Sequence, residues 1–168
     1  MMENKINVIF LDIDGVLNTP RFQMIQINNF ECDAYESQFN FDPICMKNLK
    51  ELINKTDAYI VISSTWRYDS DPRYMSEIVN NLKLYGITDR IIGVTPDLSQ
   101  QYNSRLIRGH EIQQWIQDNK NKYVIDKFVI IDDDNDMFDL IDHLAECDYQ
   151  YGFVDEVKEI ALKIMEVK

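Results

Sequence analysis

Basic residues, glycine, proline and cysteine are all scarce in this chain, and each scarcity excludes something. Lysine and arginine number 17 against 29 acids, for a formal net charge of -12. Such a surface repels phosphate backbones, which argues against sequence-independent binding along DNA, RNA or anionic lipid while leaving room for a local positive pocket. Five glycines and four prolines in 168 residues exclude a collagen-like or low-complexity chain. No fixed period runs along the sequence, so a solenoid is excluded as well. The three cysteines, Cys32, Cys45 and Cys147, cannot all pair within the chain and form no Cys-x-x-Cys, which points to a reducing compartment. Nothing is apolar over the roughly 18 residues a membrane helix needs, and the opening MMENKINVIFLDIDG reads as neither a signal peptide nor a membrane span. The expectation is a soluble, cytoplasmic protein with a single domain over residues 1–168.

What is present is a series of short apolar runs that stop abruptly at polar residues. Asn7 to Leu11 (NVIFL) ends in Asp12-Ile13-Asp14-Gly15, and Tyr59 to Ile62 (YIVI) ends in Ser63-Ser64-Thr65-Trp66-Arg67. Ile91 to Val94 (IIGV) is a third run, and Phe128 to Ile131 (FVII) ends in Asp132-Asp133-Asp134. Runs without alternation suit strands buried on both faces. Between them lie helix signals. Asp42-Pro43 caps a stripe of Ile44, Leu49, Leu52 and Ile53, and Asp71-Pro72 precedes Met75, Ile78, Val79 and Leu82, with Gly86 placed for a left-handed stop. Ile112, Trp115 and Ile116 mark a helix that opens near Arg108, and Val154, Val157, Ile160, Ala161 and Ile164 mark a closing one. Thr19 to Phe41 shows no period and is expected to form a loop or small flap over residues 19–41. The pattern predicts an α/β three-layer sandwich with a mostly parallel central sheet, whose ligand site lies beyond the carboxyl ends of the strands.

Right-handed crossovers bring Asp12, Asp14, Ser63, Ser64, Asp132 and Asp133 to that one edge. Up to four carboxylates so close repel one another unless a hard cation such as Mg²⁺ joins them. The alternative is that each aspartate caps the helix or turn that follows it. A calcium loop starting at Asp132 fails, because its sixth position is Met137 rather than glycine and its twelfth is His143 rather than glutamate.

These residues carry a family resemblance. Val8 to Asn18, with Asp12-Ile13-Asp14-Gly15 at its centre, resembles the first motif of the haloacid dehalogenase-like hydrolases. Tyr59 to Ser63 resembles their second motif, and Phe128 to Asp133 the double-aspartate form of their fourth. Together with Ser63-Ser64-Thr65-Trp66-Arg67 and Arg108-Gly109-His110-Glu111-Ile112, the chain is most similar to the small domains of that superfamily associated with RNA repair. The resemblance implies a Mg²⁺-dependent phosphomonoester hydrolase, with at most a minimal cap over its site. Asp12 is then the nucleophile that becomes an aspartyl-phosphate, and Asp14 the general acid and base. Asp12, the Asp14 carbonyl and either Asp132 or Asp133 are the implied metal ligands. Ser63, Ser64, Gly15 and Arg108 are the implied phosphate-binding residues, and Arg105, one turn earlier, is the rival for the cationic role.

A phosphorylated small molecule is the expected substrate, and the terminal phosphate of a nucleic acid the alternative. A long-lived phosphoacceptor or a scaffold on the same fold is the non-enzyme alternative. His110, His143 and Trp115 are expected to pack or face solvent rather than act. Trp66 is expected to pack, with lining of the site entrance as its rival role, and Arg67 to meet either substrate charge or a surface acid.

Overall fold

The computed structural model describes residues 5–68, 70–101 and 107–166. Its centre is a five-stranded parallel sheet: β1 (Lys5–Leu11), β2 (Tyr59–Ile62), β3 (Ile91–Val94), β4 (Val124–Asp132) and β5 (Leu144–Glu146) lie in the order β3-β2-β1-β4-β5. All four apolar runs of the sequence are strands. They are apolar on both faces because both faces are covered, and the period of two sorts β1 cleanly. Ile9 and Leu11 join the core beneath α3 (Pro43–Thr56), α4 (Arg73–Leu84) and α6 (Asp155–Ile164). Val8 and Phe10 join the opposite core, with Ile112 and Trp115 of α5 (Ile107–Asn119). This is the expected three-layer α/β architecture.

The chain runs outward from β1 through β2 to β3, then crosses the sheet by way of α5 and re-enters on the other side of β1 as β4. That reversal makes the β1/β4 boundary the switch point, where a crevice opens beyond the strand ends. Main-chain bonds carry the sheet a little past its strands at this edge. Asp12 N–H donates to the Ile131 carbonyl (3.0 Å), Ser63 N–H to Leu11 (2.8 Å) and Cys147 N–H to Asp132 (2.8 Å).

The stretch expected as a loop or small flap is largely helical, with α1 over Pro20–Asn28 and α2 over Ala34–Ser37. Helix α1 has no apolar stripe to betray it, since Gln26 is its one buried residue. It is fixed at its start instead. Thr19 caps Phe22 N–H, Pro20 occupies the first helical position, and the Thr19 hydroxyl donates to Asp42 Oδ2 (3.0 Å). Asp42 also pairs with Arg21 and caps α3 through Ile44 N–H (2.9 Å), so one buried carboxylate joins the two helix starts. Phe39 and Phe41, from the end of this stretch, are buried against Trp66. Among the described residues no helix is long and apolar enough to cross a membrane.

Candidate active site at the β1/β4 switch point

Asp12 ends β1, and Asp132 and Asp133 end β4. Carboxylate oxygens of these three residues lie within 4.8 Å of one another. Asp12 and Asp132 are buried and Asp133 is half-buried. Burial, then the negative charge of Asp12, pushes Asp132 well above the usual carboxylate range. The same two causes push Asp133 up to about 6. Burial raises Asp12 too, against the pull of Arg108. Three acids that resist ionisation side by side fit a hard divalent cation, because such an ion supplies the positive charge that their surroundings lack. Asp132 Oδ2 is buried and accepts no hydrogen bond among the described residues, although the Arg108 guanidinium lies beside it.

Arg108 is the cation that reaches into the cluster. Its Nε lies 3.3 Å from Asp132 Oδ2 and its Nη2 3.9 Å from Asp12 Oδ1, with Nη1 3.9 Å from Glu111 Oε2. Burial works against its charge, but Asp12, Asp132 and Glu111 outweigh that and keep the guanidinium protonated. Arg105 lies outside the described residues.

The start of α5 is pressed onto the loop after β4. Arg108 N–H donates to Asp136 Oδ2 (3.2 Å) and Gly109 N–H to the Asp136 carbonyl (3.1 Å). A Cβ on Gly109 would overlap the Met137 carbonyl. In an unconstrained helix, alanine at such a position would stabilise by about 1 kcal/mol. Here Gly109→Ala is expected to destabilise by about 1–3 kcal/mol and to lower kcat/KM by displacing Arg108. Thermal melts and steady-state rates check both, and a stabilised, fully active variant would contradict this packing.

Asp14 is held from two sides. Asn18 Nδ2–H donates to its Oδ1 (2.7 Å) and Trp66 Nε1–H to its Oδ2 (2.8 Å). Gln23 on α1 orients Asn18 in turn (2.6 Å). Between Asp14 and Asn18 the chain makes one tight turn, with the Val16, Leu17 and Asn18 amides all bonded to the Ile13 carbonyl. Gly15 opens that turn at φ 69° and leaves space where a Cβ would meet Asp133. Its N–H donates to the Asn18 carbonyl (2.8 Å), which closes the turn.

Ser63 and Ser64 are both fully buried at the end of β2. The Ser64 hydroxyl bonds to Asp12 and accepts from Trp66 N–H (3.3 Å), whereas the Ser63 hydroxyl has no partner among the described residues. Trp66 is buried as expected, yet it also bonds to Asp14. Arg67 meets neither substrate charge nor a surface acid. Its guanidinium is buried, bonded to the carbonyls of Ser63 (3.1 Å), Ser64 (2.5 Å), Thr95 (2.8 Å) and Pro96 (3.1 Å), and paired with buried Glu111 at 2.5 Å. Glu111 Oε1 also accepts from Leu98 N–H (3.2 Å). These two residues join the serine turn to α5 one turn beyond Arg108. The sequence offered only their presence in two quoted segments that lie 44 residues apart. Trp115 packs edge-on against Phe10 at 5.6 Å, His143 stacks on Phe128 at 3.9 Å, and His110 lies against Phe138 at 5.0 Å.

The raised acids set a pH dependence for the metal-free protein. Asp133 titrates near 3.8 when unfolded and about 6 when folded, so the native state holds the extra proton between those values. Stability therefore falls as pH rises through that window, and a divalent cation reverses the trend by replacing the proton. Thermal melts in chelator against melts in Mg²⁺ check this. Asp133→Asn is expected to flatten the chelator curve, and an unchanged slope in that variant would contradict the assignment.

No curated protein and no solved structure matches the chain significantly. Residues 8–157 match the family described as the HAD domain in Swiss Army Knife RNA repair proteins, a span that runs from β1 into α6, and the chain belongs to this family of the haloacid dehalogenase-like superfamily.

Proposed function

We propose that this protein is a Mg²⁺-dependent phosphomonoesterase that removes the terminal phosphate of an RNA strand. The observation that carries the chemistry is the acid trio, two of its members buried, with Arg108 across it. The family's association with RNA repair favours the nucleic-acid end over the small phosphoester first expected. The acidic chain fits a substrate gripped at its end, with the rest of its backbone left in solvent.

In this reading an Asp12 carboxylate oxygen attacks phosphorus in line with the leaving ribose oxygen. The P–O bond to that oxygen breaks, and Asp14 donates the proton it needs. A water then attacks the aspartyl-phosphate, Asp14 takes its proton, and inorganic phosphate leaves with Asp12 regenerated. Asp14 suits both tasks because Trp66 and Asn18 fix its carboxyl group. Arg108 and the Ser63 and Ser64 hydroxyls meet the charge that builds on the equatorial oxygens. Asp12, the Asp14 carbonyl and Asp132 or Asp133 would hold the Mg²⁺. The ion, when bound, supplies Lewis-acid neutralisation of the phosphoryl oxygens.

Residues 1–168 are read as one domain, with 19–41 as a small flap whose α1 reaches Asp14 through Gln23 and Asn18. Cys32, Cys45 and Cys147 are unpaired, which accords with a reducing cytoplasm. The deciding experiment is a panel of 3'-phosphorylated and 5'-phosphorylated oligoribonucleotides, mononucleotides and sugar phosphates, each assayed with Mg²⁺. One of the oligonucleotide ends is expected to show the highest kcat/KM. Mononucleotides well above both ends would return the protein to small phosphoesters.

A further inference from the structure

Tyr149 lies in the turn after β5 and is 56% exposed, and its place distinguishes it from other surface tyrosines. A Cβ built on Gly15 would come 2.6 Å from Tyr149 Cδ2 and 2.6 Å from Asp133 Cγ, so ring and carboxylate close over the same glycine of the nucleophile turn. The turn that carries the ring is tied to both halves of the site. Cys147 N–H donates to the carbonyl of Asp132 (2.8 Å), and Phe153 N–H to the carbonyl of Val16 (2.9 Å). Within it, Asp148 accepts from Gln150 N–H at its side chain (2.8 Å) and from Gly152 N–H at its carbonyl (2.8 Å). Arg21 N–H of α1 braces the outside through the Gln150 carbonyl (3.3 Å). One edge of the ring is thus fixed against the acid cluster while much of the rest faces solvent. Among the described residues it has no aromatic partner.

The electrostatics of the chain say what such a ring is for. With 29 acids against 17 bases, a phosphorylated strand finds little attraction here beyond its terminal phosphate. A ring face binds a nucleobase whatever the surrounding charge, and it accepts any base because every base has a π face. Among the described residues the other aromatic that touches the site is Trp66, which is 4% exposed with its N–H engaged by Asp14, so it presents no face to substrate.

We propose that Tyr149 is the stacking platform for the nucleobase of the phosphorylated terminal nucleotide, a base subsite beside the phosphate site. The proposal rests on the end-phosphatase reading. It assigns substrate discrimination to a residue that takes no part in bond making or breaking.

The test compares two oligoribonucleotides phosphorylated at the end that the wild-type enzyme prefers, one intact and one abasic at its terminal nucleotide. Wild type and Tyr149→Phe are expected to favour the intact end by about tenfold in kcat/KM, and Tyr149→Ala to bring that preference to within about twofold of unity. A partly unfolded variant loses rate on both substrates, so the ratio still reports the ring. Tyr149→Ala with the wild-type preference, or a wild-type enzyme that acts on ends but ignores the base, would overturn the subsite and leave the end-phosphatase reading intact. A wild-type enzyme that turns over mononucleotides or sugar phosphates but neither oligonucleotide would overturn that reading, and the subsite with it.

Discussion

Asp12→Asn is expected to abolish phosphate release, by at least about 10⁴-fold, while raising the melting temperature of the metal-free protein. The two effects have one source. Asp12 is 6% exposed, burial opposes its charge, and it raises the pKa of both Asp132 and Asp133. The amide keeps the shape of the side chain, removes one of three mutually repelling carboxylates and deletes the nucleophile. Arg108 keeps Asp132 and Glu111 as partners, so no buried cation is left alone. Rates with Mg²⁺ and thermal melts in chelator measure the two halves separately. A variant with wild-type turnover, once contaminating phosphatase is excluded, would remove Asp12 from its role. One that melts lower in chelator would contradict the electrostatic account of the cluster.

The largest loss of stability is expected at the Arg67–Glu111 pair. Both side chains are 1% exposed, so either charge left alone has no water to turn to. Glu111→Gln should therefore cost about 3–5 kcal/mol, a large share of the usual stability of a domain this size. Arg67→Met combined with Glu111→Gln should regain part of that loss, because no unpaired charge remains. It should not regain activity. In the double variant the carbonyls of Ser63, Ser64, Thr95 and Pro96 lose their common donor, and the serine turn loses its tie to α5. Urea denaturation beside kcat/KM separates the two effects. A double variant that recovers both would reduce the pair to a purely structural ion pair.

How much of this was legible in the sequence depended on whether the signal was local. β1, β2, β3 and β4 were readable because full burial leaves an unbroken apolar run, even though β4 begins at Val124, earlier than Phe128 suggested. β5 was missed, since its three residues, Leu-Ala-Glu, are too few to form such a run. Helix α1 was missed for a different reason. Its sequence PRFQMIQIN buries almost nothing, and its stability comes from the Thr19 cap and the bonds to Asp42. Thr19-Pro20 is the same kind of start signal as Asp42-Pro43, but no apolar stripe follows it. At Asp71-Pro72 the signal marked a real helix. The helix starts at Arg73, and the Asp71 side chain accepts from Arg73 N–H (2.9 Å).

The acid cluster was readable for the same reason as the strands, because an aspartate that ends an apolar run has only one edge of the sheet on which to lie. The partners that aim those acids were not. Asp14 is oriented by Trp66, 52 residues away, and Glu111 by Arg67, 44 residues away. Neither pairing leaves a periodicity or a spacing that one sequence reveals. Tryptophan and arginine after a strand also have bland explanations as packing and surface charge, and only the fold brings their polar atoms inward.

The most direct test of phosphoryl transfer to Asp12 is a rapid acid quench with a radiolabelled 3'- or 5'-phosphorylated oligoribonucleotide, followed by peptide mapping. Wild-type enzyme with Mg²⁺ should carry an acid-stable, hydroxylamine-labile label on the peptide that contains Asp12, and the label should rise and decay at the rate of phosphate release. Absence of label during turnover, or label on another residue, would contradict the assignment of the nucleophile. A stoichiometric label that persists after substrate is exhausted would contradict hydrolysis itself and make the protein a phosphoacceptor.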